Sequence, residues 1–485
     1  MIYLSTVQRV AKNTGIIIVG DVVFKLISLF VTIYLARYLG TVGYGKYNFV
    51  FAFLAFFGIV TDLGLRAIFV RDMSREPLGS SKLVGNGYII KIFLTIPAVA
   101  LPMLLITLMH YPTDTTYYVY VASLTLLFFS FSDFYEAIFQ ANLSMVYNVI
   151  AKLSFKFVSA ALIFWIIFSH GTLAQILWAL VFSEAVKTSI SYYYSRKFVK
   201  PMFEIDFDLW KYLLKEALPI ALSSAIMVVY FHTDILMLSV MQGDAAVGIY
   251  SAAYKLIEPL NFIPYALMLS LFPIMSESFK SSRERFIKVS KLGFKYILMI
   301  MLPVVICVAI LADEVISLIY GEQFAASVSV LSILIWALVF SSTSMVMGNL
   351  LVSIDRQTLR MFSMAMGAAL NVVFNFLLIP VFSYNGAAIV TLITNIAMFT
   401  ANLYFVSKSM NYMIFSPETL KALVSGLVTG IVMFSLKGFG IPIFLLLPFG
   451  IIIYFVGLYI LKALTKEDRE IFKKAIMVAH GAKNK

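Results

Sequence analysis

Apolar runs of about twenty residues recur from one end of this chain to the other, and that pattern settles most of what it can fold into. Hydrocarbon offers no partner to a backbone N–H or C=O. A run of about 20 apolar residues crossing a core of about 30 Å therefore does so as a helix. Such runs fall near 16–37, 46–65, 86–109, 117–139, 149–169, 173–195, 217–240, 248–273, 294–313, 327–351, 362–382, 386–406, 420–436 and 440–462, about fourteen in all. Only 13% of the 485 residues are charged and the mean hydropathy is +0.94, whereas a soluble domain is about one-quarter charged. No connection is long enough for a soluble domain. The expected fold is an all-α integral membrane protein. The first run follows Arg9 and Lys12; it is too long for a signal-peptide core and shows no small-residue cleavage site, so it is expected to stay as the first span.

The net charge of +12 raises the possibility of nucleic acid, but its distribution argues for membrane topology instead, because Lys and Arg mark cytoplasmic loops. With the N-terminus inside, the basic segments 66–91, 196–215, 280–295 and the tail from 462 all fall on the cytoplasmic side of fourteen spans. The opposite connections 110–116, 170–172, 241–247, 314–326 and 383–385 hold no Lys or Arg. Lys46, with Arg37 at a span end, and Lys437 are the exceptions. The expectation is a multi-pass protein of the cytoplasmic membrane with both termini inside, and no nucleic-acid partner.

Several chemistries are excluded or weakened. Cys307 is the only cysteine, so neither an internal disulfide nor a thiolate metal site is available. The four histidines form no ligand-spaced pair, and neither G-x-x-x-x-G-K-[ST] nor G-x-S-x-G occurs. No metal and no cofactor is expected. A membrane glycosyltransferase or polymerase needs catalytic residues on a substantial outer loop, yet the outer connections are short and nearly uncharged.

An internal repeat organises the spans. GTVGYGKY (Gly40 to Tyr47) and GDAAVGIY (Gly243 to Tyr250) share G-x4-G-x-Y, and FSHGTLA (Phe168 to Ala174) is similar to FSYNGAA (Phe382 to Ala388). The offsets are 203 and about 214 residues. Six spans separate the members of each pair, so the copies share an orientation, the parallel-repeat plan of many transporters. The expected division is an N-lobe 1–195, a cytoplasmic linker 196–216, a C-lobe 217–406, two extra helices in 407–462 and a basic cytoplasmic tail 463–485.

LARYLGTVGYGKYNFVFAF followed by TDLGLRAIFVRDMSRE, then LPIALSSAIMVVYFHTDILMLS, GIYSAAYKLIEPL, LFPIMSE and NVVFNFLLIPVFSYNGAAIVTLITN, resembles the polysaccharide-unit flippases. These are the Wzx-type members of the multidrug/oligosaccharidyl-lipid/polysaccharide exporter superfamily. The resemblance covers most of 9–406. It implies two pseudo-symmetric six-helix lobes around a central cavity and alternating access. It also implies translocation of a polyprenyl- or dolichyl-linked (pyro)phosphate oligosaccharide from the cytoplasmic to the outer leaflet, with membrane lipids and glycosyltransferases or a polymerase of the same pathway as partners. The two extra helices resemble those of peptidoglycan lipid-precursor flippases, which keeps that function open. A cation-coupled multidrug antiporter of the same superfamily is the other alternative.

An ionised side chain at the bilayer centre costs at least about 2.5–3.5 kcal/mol on insertion scales, so it faces a cavity or a partner. Lys25 lies about 14 Å into its span and Glu258 about 15 Å into another. Asp21 precedes Lys25 by one turn, Lys255 precedes Glu258 by three residues, and Lys156, Glu184 and Lys187 are similarly deep. The i,i+3 and i,i+4 spacings also fit self-neutralising pairs. Lysines suit a phosphate or diphosphate head group as point charges. Lys25, Lys255, Lys156 and Arg66 are the candidate head-group residues, and Asp62, Asp234 and Glu258 the candidate cavity or coupling carboxylates, for H+ or Na+. Pro259 and Pro264 weaken the helix beside the charges and are candidate hinges.

Overall fold

The apolar runs become helices because nothing within them competes with the helical ladder. A computed structural model describes residues 6–76, 79–465 and 468. Its α-helices are α1 (Thr6–Asp62), α2 (Leu65–Arg75), α3 (Ser80–Leu108), α4 (Thr113–Ala141), α5 (Met145–Phe168), α6 (Leu173–Ser195), α7 (Phe207–Gln242) and α8 (Asp244–Ile257). They continue as α9 (Phe262–Ser281), α10 (Arg283–Ile310), α11 (Ala312–Tyr320), α12 (Ser327–Ser353), α13 (Gln357–Met410), α14 (Pro417–Lys437) and α15 (Ile443–Ile460). Among the described residues twelve stretches are long and apolar enough to cross a membrane. Two of them are double. Gly40 (φ 66°, ψ −177°) breaks α1 and Ser383 (φ 52°, ψ −133°) breaks α13, so each holds two of the runs read from the sequence. The basic tail lies outside the described residues after 465, apart from Asp468.

The contacts divide the chain into two compact units, 1–251 and 252–485. In the first, α6 packs on α4 and α5, and α5 on α1. An apolar cluster joins Leu65, Phe69, Phe134, Tyr135 and Phe139 to Leu213 and Ala217, with the Phe69 and Phe134 rings edge to face at 5.1 Å. In the second, α12 packs on α13 and α10, and α14 on α10 and α15. Cys307, Leu311, Met433 and Leu446 form its end cluster. The outward faces are apolar too: Phe168, Trp165, Phe376 and Phe434 are among the exposed side chains. Helices that are apolar all round belong in lipid or in a core.

At 258–261 the α-helix gives way. α8 stops at Ile257, a 3-10 turn covers Glu258–Asn261, and α9 begins at Phe262. Pro259 sits in that turn, where its missing N–H costs least, and Pro264 is buried in the first turn of α9.

Candidate functional site: a charged cavity wall in residues 1–251

The site begins where α1 ends. Asp62 is the last residue of α1, Leu63 and Gly64 turn the chain with φ of 47° and 82°, and α2 follows. Gly64 is required there twice. Its φ is one that side chains rarely adopt, and a Cβ would stand 2.8 Å from the Ala217 carbonyl oxygen of α7. The Asp62 carboxylate accepts the Arg66 backbone N–H (3.1 Å) and the Lys91 ammonium (2.8 Å). Lys91, on α3, is wholly buried and also donates to the Thr61 carbonyl at 3.0 Å.

From Lys91 the charges continue sideways. Its ammonium is 3.9 Å from Asp133 of α4, which takes the Arg66 guanidinium. Arg66 also reaches Glu136, one turn on, at 3.3 Å. Lys187 of α6 lies 3.6 Å from Glu136 and 3.0 Å from Glu184, and Ser132 donates to Glu184 at 3.1 Å. Asp133 with Glu136, and Glu184 with Lys187, share helix faces by their i,i+3 spacing. The result is an unbroken line, Asp62–Lys91–Asp133–Arg66–Glu136–Lys187–Glu184, of four carboxylates and three cations.

Both ends of that line open on one cavity of about 580 Å³. Asp62 and Glu184 line it with Lys156, the hydroxyls of Thr32, Thr125, Ser159 and Ser224, and an apolar remainder that includes Phe51 and Phe155. The Lys156 ammonium lies 5.2 Å from the centroid of the Phe24 ring, close enough for a cation–π contact. The arrangement offers one cation, two carboxylates and several hydroxyls in an apolar setting.

Of the candidates read from the sequence, Lys156 and Asp62 line this cavity. Arg66 does not; it stands behind the wall, held by Asp133 and Glu136. Lys25 is exposed on α1 and is not a lining residue. Asp234 is buried and accepts the Tyr250 hydroxyl at 2.6 Å. Lys255 and Glu258 belong to the second unit, where they pair at 2.7 Å with side chains 38% and 54% exposed; neither they nor Pro259 and Pro264 are cavity residues. Counting Lys91 as a loop charge missed it. The helix begins at Ser80, six residues before the apolar run, which puts Lys91 about 16 Å along it.

The two lysines that broke the charge pattern are each clamped by carboxylates. Lys46 binds Asp114 and lies 3.9 Å from Asp244. Lys437 binds Asp313, Glu314 (3.1 Å) and the Ile310 carbonyl (2.7 Å). Burial raises the Asp313 carboxyl, but the Lys437 ammonium and the Glu314 backbone N–H outweigh it and hold the group at about 2.

Comparison with known proteins gives a consistent picture. Residues 10–279 match the polysaccharide biosynthesis protein family, and 219–377 match the MatE family. The chain is 22% identical over 411 residues to the capsular polysaccharide biosynthesis protein CapF of Staphylococcus aureus, covering 81% of this chain and 98% of that one. It is 21% identical over 233 residues to the probable low-salt glycan biosynthesis flippase Agl15 of Haloferax volcanii, covering 46% of this chain and about half (49%) of that one's length. Among solved structures, the lipid II flippase MurJ in an inward closed conformation superposes with a TM-score of 0.71 at 16% identity, covering 95% of this chain and 99% of that chain.

Proposed function

We propose a transport function from the premise that this chain belongs to the polysaccharide biosynthesis protein family. It is a flippase that carries a polyprenyl- or dolichyl-linked (pyro)phosphate oligosaccharide from the cytoplasmic to the outer leaflet of the cell membrane by alternating access. The working parts are the lobes 1–195 and 217–406 joined by the cytoplasmic linker 196–216, with the helices of 407–462 added. Both termini are cytoplasmic. The paired state of Lys46 and Lys437 supports this orientation, since it accounts for the two cations on the outer side.

The observation that carries the reading is the cavity of about 580 Å³ with Lys156, Asp62 and Glu184 on its wall. A lipid-linked oligosaccharide needs a cation for phosphate, hydrogen-bonding groups for sugar hydroxyls and an apolar boundary for its lipid. Lysine holds phosphate as a point charge. In the line of charges behind the wall, carboxylates outnumber cations by one, which suits coupling to H+ or Na+ near Asp62, with Asp234 and Glu258 as further candidates. Lys25, Lys255 and Arg66 remain candidates for head-group contact outside this cavity. Glycosyltransferases or a polymerase of the same pathway are the expected protein partners.

The likeness to the lipid II flippase structure supports peptidoglycan-precursor transport as a second reading, and the MatE match supports a cation-coupled multidrug antiporter as a third. Reconstituted proteoliposomes separate them. Fluorescent polyprenyl diphosphate oligosaccharide, lipid II and an organic cation are offered in turn. Translocation of the first, well above that of the others, is expected; transport of lipid II alone or of the organic cation alone overturns the proposal.

A further inference from the structure

The two copies of G-x4-G-x-Y do more than repeat: they lie against each other. Gly40 (φ 66°, ψ −177°) and Gly243 (φ 81°, ψ −177°) set the same backbone kink at the head of each copy. Five residues on, Gly45 and Gly248 meet. A Cβ on Gly45 would stand 1.8 Å from the Asp244 carbonyl oxygen, and one on Gly248 would stand 1.9 Å from the Thr41 carbonyl oxygen. The contact is reciprocal, with the second residue of each copy against the sixth of the other, as in a two-fold interface. Small residues bring membrane helices to this kind of backbone contact.

Two further links surround the seam. Lys46, next to Gly45, is shared by Asp114 at the head of α4 and Asp244 at the head of α8. Tyr111, just before α4, stacks on Phe49 of α1 at 4.8 Å, and its hydroxyl lies 3.1 Å from that of Ser239 on α7. The copies differ in one respect. Tyr250 donates to Asp234, sixteen residues earlier, which ties α8 to α7; the equivalent pair in the first copy is Tyr47 and Val31, both of which line the cavity.

We propose that this seam is the outer gate of the transport cycle, closed by backbone contact at Gly45 and Gly248 and latched by the Lys46 charge. The proposal rests on the alternating-access reading above. A seam without side chains has nothing to disengage when it parts, and half-buried ion pairs hydrate on opening. The Asp234–Tyr250 bond makes α7 and α8 move as one body against α1. The gate also accounts for Lys46, one of the two lysines that depart from the charge pattern.

The test is the reactivity of a cavity cysteine, Thr32→Cys in a Cys307→Ala background, toward an impermeant maleimide outside intact cells. Gly45→Ala and Gly248→Ala are expected to raise the labelling rate about tenfold and Lys46→Met about threefold, as a closed state loses population, with Lys46→Arg returning it toward the parent. Unchanged labelling in Lys46→Met and in either glycine variant that accumulates overturns the gate. Should neither glycine variant accumulate, Lys46→Met decides alone. Lys200→Cys, in the linker, reports orientation separately: its labelling from outside would condemn the topology rather than the gate. No substrate is needed, so an error in the cargo leaves the readout unaffected.

Discussion

Behind the cavity of residues 1–251 runs a line of seven charged side chains from Asp62 to Glu184, whereas the interior of 252–485 is held by amides and hydroxyls. There Asn402 donates to Ser344 at 2.8 Å and accepts from Ser363 at 2.7 Å, and Asn375 donates to Asn371 at 3.0 Å. A buried ion pair in that unit, Lys295–Asp468 at 2.6 Å, fastens the segment after α15 to α10. Neutral bonds between membrane helices join elements at little desolvation cost. Buried ion pairs often contribute no more than apolar packing would. A chain that needed only to fold has no reason to link seven charges in one unit, with Lys91, Asp133, Glu136, Glu184 and Lys187 buried, and these have both ends on a cavity. The difference teaches where work is done.

Removing a partner from each network is the hardest test of that contrast. Lys91→Met strips the ammonium from Asp62 while Asp133 keeps Arg66, and removing one partner of a buried pair costs about 3–5 kcal/mol. Asn402→Leu removes neutral bonds, each worth about 0.6 kcal/mol and rarely above 1.7 in membrane helices. Thermal unfolding in detergent should therefore place Lys91→Met far below Asn402→Leu. Equal losses would erase the distinction between the two units.

The pair Lys255–Glu258 sharpens the contrast from the other side. Its side chains are exposed enough that screening leaves an ion pair worth about 0–1 kcal/mol. Lys255→Leu and Lys255→Leu/Glu258→Leu should both accumulate normally, and both should lose oligosaccharide export. Export restored in the double variant would reduce the pair to scaffolding.

The smallest effect lies outside the spans. Asp206 caps α7, accepting the N–H groups of Asp208 and Leu209, and its hydrogen bond from Lys82 lowers its carboxyl below the ordinary value. A depressed pKa gives stability that is present above the unfolded value, about 3.9, and is lost as pH falls through the lower folded value. Asp206→Asn keeps a capping oxygen but does not titrate. At pH 6 the parent should melt slightly above the variant, and the gap should close as pH falls through the lowered folded value of Asp206. A gap that persists below that value rules out the Lys82–Asp206 charge as its cause.

The spans were legible because lipid demands a run of fixed length and nothing tertiary enters that rule. The breaks at Gly40 and Ser383 were legible as gaps between apolar runs and as repeated short motifs, but not as kinks within one continuous helix, because a kink is a property of two dihedral angles rather than of hydropathy. Lys156 was legible from its depth, and Asp62 as an ionisable residue within a span; both line the cavity. The place of Arg66 behind the wall was not legible, since its reach to Asp133 and Glu136 joins positions 67 and 70 residues apart. Lys46 and Lys437 broke the charge pattern for the same reason: their carboxylates come from other helices, and a count along the chain cannot see them.

The central claim is that the cavity of 1–251 receives the phosphate end of the cargo through Lys156. In proteoliposomes bearing a fluorescent polyprenyl diphosphate oligosaccharide, Lys156→Gln should fold like the parent and flip at least about tenfold more slowly, the rate loss expected for a charge-assisted contact worth about 1.5–3 kcal/mol. Parental flipping in a folded Lys156→Gln protein would contradict the account.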